Sequence, residues 1–515
     1  MKRTTLIVLL LIYAAMWAAA WVSRDPFERL PHLEDEFAYL YQARIFEHGD
    51  IVIDSPNPRR AYWQPFLIDY EGKRFGKYPP GWPLLLAFGT STRIPWVVSV
   101  YFAGLTIAIV YRFGRELYNE STGVIAALLM TTSPISLLLS GTLMSHTAAL
   151  FFTTLFMYSL WRIELRQNIL WWGFLGGISL GINIAMRPLT AVGIALPFVI
   201  YSAGRLGWVL YKDSPAFWPT LKPLVVLGMV TLLIGAMWPA FNYAATGEPT
   251  KNLYTLIWKY DRIGFGPEYG RSGHTIDKGI QHAKDDLRCY ARDLFGWTTY
   301  PDNPPEKVQA NNNCVKDKPG VSWALLPLGF IFMHRRKWSI LLLALAVSLV
   351  GVHMAYWIGA QVYSARYYFE MSSALVLISA AGVSGFAQFL RRFQLHAAVY
   401  SLLFIAVFVS LIGYTPDRLR ALRGYGRVTR DQIEEVENLR ESPDTPVLVV
   451  VSGEHHWRDV APLMALTDPY AANDIIVLRD PDSQYLPMLR ANYPDRQLML
   501  VIDQKLYPIA PEAEP

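Results

Sequence analysis

Between Ser121 and Trp161 the chain reads STGVIAALLMTTSPISLLLSGTLMSHTAALFFTTLFMYSLW, without one Asp, Glu, Lys or Arg. A helix needs roughly 20 mostly apolar residues to cross about 30 Å of hydrocarbon at 1.5 Å per residue. This stretch holds two such runs, 121–140 and 143–161, divided only by Ser140-Gly141-Thr142. The residues do not alternate apolar with polar, which speaks against a membrane barrel strand. The stretch therefore reads as a pair of membrane-spanning α-helices.

The rest of the chain repeats the pattern. Of its 515 residues 52% are hydrophobic and only 17% charged, against about 25% charged in soluble domains. Further spans are expected near 4–23, 93–111, 168–186, 188–204, 223–243, 319–333, 338–358, 370–390 and 396–414, eleven in all. Arg187-Pro188 alone separates the fifth from the sixth, and 319–333 is short. The first run could serve as a cleaved signal through Ala18-Ala19-Ala20. Its length, and Trp17 and Trp21 at an interfacial position, favour a retained anchor.

Positive charge sets the orientation. With a cytoplasmic N-terminus, the inner connections carry Lys2, Arg3, Arg112, Arg115, Arg162, Arg166, Arg205, Lys212, Lys222, Arg335, Arg336, Lys337, Arg391 and Arg392. The acids among them are Glu116, Glu120, Glu164 and Asp213. Three long hydrophilic segments, 24–92, 244–318 and 415–515, then lie outside the plasma (inner) membrane.

In the first of these, Asp35 to His48 reads as an amphipathic helix able to lie along the membrane surface, stopped by Gly49. Leu67-Ile68-Asp69-Tyr70, turning at Glu71-Gly72-Lys73 and returning through Arg74-Phe75, reads as a hairpin. Pro79-Pro80-Gly81 breaks the chain before it re-enters the membrane. The second segment is aromatic-rich and reads as an ordered cap over an external cavity. It also holds both cysteines, Cys289 and Cys314, which an oxidising compartment would let bridge. Two free thiols are the alternative. From 416 the chain reads as a small α/β layer with a parallel sheet. Its strands are Pro446 to Ser452, Asp474 to Leu478 and Gln497 to Ile502, and Pro508 to Pro515 reads as frayed. The expected division is a membrane domain, 1–415, and an extracytoplasmic domain, 416–515.

Glu34-Asp35-Glu36 is the densest charge just beyond the first span. Three adjacent carboxylates make sense if one works as a base, if a cation binds there, or as acids capping a helix N-terminus. Lys77 sits beside the rigid Tyr78-Pro79-Pro80-Gly81-Trp82-Pro83 turn, where an ammonium could meet a lipid phosphate or simply face headgroups. Arg187 and Arg366 lie at outer helix ends, where a guanidinium either binds phosphate or snorkels. His146, His274, His282 and His353 show no spacing of three or four converging metal ligands. A buried, satisfied imidazole is the plain reading of each.

Taken together these segments resemble the GT-C superfamily of polytopic glycosyltransferases. The nearer likeness is to its bacterial branch beside lipid A aminoarabinose transferases and protein O-mannosyltransferases, which is glycosyltransferase family 39-like. The resemblance is carried by Asp35-Glu36-Phe37-Ala38-Tyr39-Leu40-Tyr41-Gln42-Ala43-Arg44 and Tyr78-Pro79-Pro80-Gly81-Trp82-Pro83-Leu84-Leu85-Leu86-Ala87. Arg187-Pro188-Leu189-Thr190-Ala191, Ala365-Arg366-Tyr367-Tyr368 and Asn242 to Pro249 match more weakly. It covers roughly residues 1–415. It implies inverting transfer of a hexose or pentose from a polyprenyl-phosphate donor to a hydroxyl of a lipid, glycan or protein, on the extracytoplasmic face. It makes Asp35 the base, with Glu36 as auxiliary acid or metal ligand. Lys77, Arg187 and Arg366 would hold the donor phosphate, and His146, Tyr78 and Tyr367 would line the site. Members differ in their use of a divalent metal, so that cofactor stays open. A transporter or flippase of lipid-linked sugars, a ligase using a lipid diphosphate, or a receptor scaffold are the competing readings. Internal repeats and helices broken at the midplane, which a transporter often shows, are not seen in the sequence, and the charges lie at the outer helix ends. No feature points to nucleic acid.

Overall fold

The computed structural model describes residues 3–299, 320–332, 336–360, 362–453, 455–503 and 505–509. Its chain runs α1 (Arg3–Arg24), α2 (Glu34–Glu47), a three-stranded sheet of β1 (Ile53–Asp54), β2 (Leu67–Tyr70) and β3 (Lys73–Gly76), then α3 (Gly81–Ser91), α4 (Val97–Leu117), α5 (Glu120–Thr132), α6 (Pro134–Ser140), α7 (His146–Glu164), α8 (Ile169–Met186), α9 (Pro188–Tyr211), α10 (Phe217–Gly235) and α11 (Met237–Thr246). After α12 (Tyr254–Ile257) and α13 (Ile276–Asp293) come α14 (Leu325–Phe332), α15 (Arg336–His353), α16 (Ser372–Leu390) and α17 (His396–Val409).

Among the described residues, eight helical segments are long and apolar enough to cross a bilayer, or nine if α5 and α6, bent by 60°, count as one span. Eleven were expected. The region 319–333 yields only the short helix Ser322–Phe332. The run at 143–161 is the 19-residue α7, which is buried along most of its length. Its Thr, Ser, His and Tyr side chains lower its apolarity because it lies inside the bundle, where small and polar groups pack helix on helix. The same rule places Gly173, Gly177 and Gly181 of α8 against α10. A Cβ on Gly177 would lie 2.7 Å from the Leu227 carbonyl oxygen.

The hairpin forms where expected, with Tyr70 opposite Lys73 and Leu67 opposite Gly76. Glu71 and Gly72 both take positive φ (49° and 81°), as a two-residue hairpin turn requires. The helix at 34–47 forms too, but it presents no exposed apolar face, being covered by protein on both sides. Phe37 to Ala43 and Ile45 are all buried. One side packs on the membrane bundle through Ala38, Tyr39 and Ala43. The other is covered by the C-terminal layer, where Phe37 meets Trp457 edge to face at 5.6 Å. Arg44 donates to the carbonyls of Thr467 (2.8 Å) and Ala465 (3.2 Å). The helix reads as amphipathic only while its cover, some four hundred residues away, is unknown.

The three expected strands of that layer are β4 (Val447–Ser452), β5 (Ile475–Asp480) and β6 (Gln497–Ile502), all parallel. A fourth, β7 (Lys505–Pro508), runs antiparallel to β6 within a stretch the sequence did not mark as a strand. The order is β5-β4-β6-β7. Val447, Val449 and Val451 face Phe37, whereas Leu448 and Val450 face Ala61 and Leu489. Both faces of β4 are covered, which is why it reads as an unbroken apolar run. Cys289 is buried on α13, and its expected partner Cys314 lies outside the described residues.

Candidate active site

Several helices begin around one cavity. Asp35 is in the first turn of α2, His146 opens α7, and Arg187 is the residue before Pro188, which opens α9. Pro188 suits that place because the first helical N–H has no intrahelical partner. Arg366 begins the 3₁₀ turn Arg366–Met371 that leads into α16. Helix N-termini carry partial positive charge and unpaired N–H groups, so their convergence favours an anion.

The cavity is about 510 Å³, and Asp35, Lys77, Tyr78, His146, Arg187, Arg366 and Tyr367 all line it. Residues drawn from 35 to 367 of the sequence thus meet on one wall system. The second long segment closes over it through Thr250 to Tyr254, Asp261 and Ile263.

Asp35 accepts a 2.5 Å hydrogen bond from the Tyr78 hydroxyl. Its other oxygen stands 3.8 Å from Nη1 of Arg366. Arg366 is buried, and among the described residues its Nε and Nη1 find no hydrogen-bond acceptor. Arg187 is committed differently. Its Nε faces the buried Glu370 at 3.1 Å, and its Nη1 lies 2.8 Å from Nε2 of His146.

Lys77 has only 3% of its side chain exposed and sits 3.6 Å from Asp261. Its ammonium lies 3.5 Å from the Phe66 ring centre and about 5 Å from those of Tyr78, Tyr254 and Trp258. Burial pushes this lysine below the usual lysine range, and Asp261 and Asp35 oppose that shift. Asp261 in turn accepts from the Tyr356 hydroxyl (2.9 Å) and the Trp357 indole (3.0 Å). Sequence reading missed Asp261 and Glu370. Each is a single acid far along the chain from its cation, and no local pattern announces it.

Glu36 sits behind the cavity. It is absent from the cavity lining. Its carboxylate accepts from the backbone N–H of His32 (2.9 Å), Leu33 (3.1 Å) and Leu143 (2.8 Å) and from the Tyr363 hydroxyl (3.0 Å). Burial pushes this carboxyl up, while these donors favour its charged form. Successive helix positions point about 100° apart, so Asp35 enters the cavity while Glu36 caps α2 behind it. Among the described residues, no three His, Cys, Asp or Glu side chains come together as metal ligands.

Residues 82–238 match the family model described as dolichyl-phosphate-mannose-protein mannosyltransferase. Over the whole chain the backbone superposes on apo ArnT from Cupriavidus metallidurans with TM-score 0.59 at 13% identity, covering 98% of this chain and 94% of that one. The chain has the ArnT-like GT-C fold. The ArnT structure bound to undecaprenyl phosphate gives TM-score 0.56 at 14% identity, with both chains covered in full (100% each). The Archaeoglobus fulgidus oligosaccharyltransferase AglB, in complex with an inhibitory peptide and a dolichol-phosphate, gives 0.50 at 13% identity, covering 96% of this chain and 69% of that one. A search of curated proteins finds no relative by sequence. With this fold and its many apolar helices, the chain is a multi-pass membrane protein.

Proposed function

We propose that this GT-C fold carries out glycosyl transfer from a polyprenyl-phosphate sugar to a hydroxyl of a lipid, glycan or protein, with inversion at the anomeric carbon. The observation that carries the reading is the Asp35 carboxylate facing a cavity that also presents Lys77, itself beside Asp261, together with Arg187 and Arg366. The acceptor oxygen attacks the anomeric carbon and its proton passes to Asp35. The bond from that carbon to the phosphate oxygen breaks, and the lipid phosphate leaves with the electron pair. Fixed cations where that charge develops lower the barrier. Undecaprenyl phosphate and dolichol-phosphate in the similar structures support a lipid-phosphate donor. The match to the mannosyltransferase family model keeps a protein among the acceptors.

The division at 415/416 belongs to the same proposal, as does a cytoplasmic N-terminus with the cavity and C-terminal layer on the extracytoplasmic face of the plasma membrane. The layer's contacts with α2 support a shared side, because α2 also bears Asp35.

Proteoliposomes given labelled polyprenyl-phosphate sugars and a membrane acceptor extract test the reading. Transfer by the wild type and none by Asp35→Asn supports it. Movement of a lipid-linked sugar across the bilayer without transfer would replace it with the flippase reading.

A further inference from the structure

Glu36 stands one layer behind the cavity wall, and its four hydrogen bonds reach three separate stretches of chain. Each stretch supplies a cavity residue close by. His32 and Leu33 precede Asp35, Leu143 precedes His146 by three residues, and Tyr363 precedes Arg366 by three.

The Tyr363 stretch is the tightest. Tyr363 and the next residue, Ser364, take left-handed backbone angles (φ 56° and 70°), and both are wholly buried. Neither is a glycine, and an L side chain holds such angles only when its surroundings impose them. The Tyr363 ring packs against Phe27 at 5.2 Å and Tyr425 at 5.3 Å, leaving its hydroxyl as the one polar tie, to Glu36 at 3.0 Å. The backbone N–H of Arg366 then turns back to the Ser364 carbonyl at 2.9 Å. The Arg366 N–H also reaches the Ala360 carbonyl at 3.3 Å, and the Tyr363 tie adds the link from this backbone to α2, which bears Asp35.

We propose that Glu36 and Tyr363 are positioning residues: their hydrogen bond fixes the backbone before Arg366 and so places the guanidinium opposite Asp35. The proposal rests on the phosphate-binding reading of Arg366, and it makes Glu36 a buried tie where the sequence suggested an auxiliary acid or metal ligand.

Tyr363→Phe keeps the packing ring and removes only the hydroxyl. Binding of undecaprenyl phosphate to the purified full chain is measured for wild type, Tyr363→Phe, Arg366→Gln and the double variant. The expected result is about tenfold weaker binding for Tyr363→Phe, and no further loss when it is added to Arg366→Gln, as for two residues acting through one contact. Equal weakening on both backgrounds, or no weakening at all, overturns the proposal.

If the wild type does not bind undecaprenyl phosphate, the donor reading fails separately. The tie is then judged by the phenylglyoxal modification rate of Arg366, followed by peptide mass spectrometry with the other arginines as internal controls. A severalfold change in Tyr363→Phe, at Arg366 alone, supports the tie. An unchanged rate overturns it. Glu36→Gln, which sets an amide N–H₂ among four donors, should show the same pattern more strongly wherever it folds.

Discussion

The Tyr78 hydroxyl and the Asp35 carboxylate are joined by a 2.5 Å hydrogen bond on one carboxylate oxygen, which leaves the other oxygen facing Arg366. One oxygen is thus held in place and the other is available to take a proton. Asp35→Asn keeps the shape and removes the basicity. It should lower transfer by about 10²–10⁴-fold, the usual worth of a positioned base. Undecaprenyl-phosphate binding and thermal melting should stay near wild type. Transfer at more than a tenth of the wild-type rate would remove Asp35 from the reaction.

Arg366 has an Nε and an Nη1 that make no hydrogen bond to the described residues, Nη1 standing 3.8 Å from Asp35, so a phosphate oxygen is a natural acceptor for them. Arg366→Gln should weaken undecaprenyl-phosphate binding by roughly 10- to 100-fold, as expected for a lost charge-assisted hydrogen bond. Arg366→Lys should recover only part of it, because an ammonium cannot reproduce the planar fork. Full recovery by lysine would mean that charge alone matters there.

Arg187 should behave differently because Glu370 is fully buried behind it. Arg187→Gln leaves that carboxyl unpaired and should destabilise the protein by about 3–5 kcal/mol. Pairing it with Glu370→Gln should restore the melting temperature in detergent but not donor binding. A melt of Arg187→Gln that matches wild type would show that the pair does not hold the fold.

Lys77 supplies a pH signature. Burial lowers its pKa, so its ammonium loses its proton at a lower pH than an exposed lysine would. The charged form is the one that attracts phosphate. Donor affinity should therefore be complete at the lower pH and fall as pH rises through the depressed value. Lys77→Arg, which does not titrate in this range, should keep its own affinity level with pH. A parallel decline in both proteins would assign the titration to another group.

How far the chain could be read depended on the range of the interaction. The Glu71-Gly72 turn and the three apolar strand runs follow from neighbours in sequence, and the structure forms them. Asp35 stood out in its carboxylate triplet and Lys77 beside its rigid turn, and Arg187 and Arg366 because charge beside an apolar run is costly and needs a reason. Their meeting in one cavity could not be read, since it depends on contacts such as that between Arg366 and Asp35. Asp35 and Glu36 look alike as letters, and only the packing around α2 sends them to opposite duties. Lys77 read as an interfacial lysine because its enclosing rings come from three places, Phe66, Tyr78 and the pair Tyr254 and Trp258.

The cover on α2 has a consequence for biosynthesis. Chains are made from the N-terminus, so α2 and its aspartate emerge early, yet Phe37 waits for Trp457 and Arg44 for the Thr467 carbonyl, which is 423 positions later. During synthesis that apolar flank is bare, open to chaperones or to the membrane surface. A nascent chain halted before the final sheet would carry its aspartate on an unsupported helix. Support for that helix should then arrive only after residues 447–508 have been made, long after α2 itself.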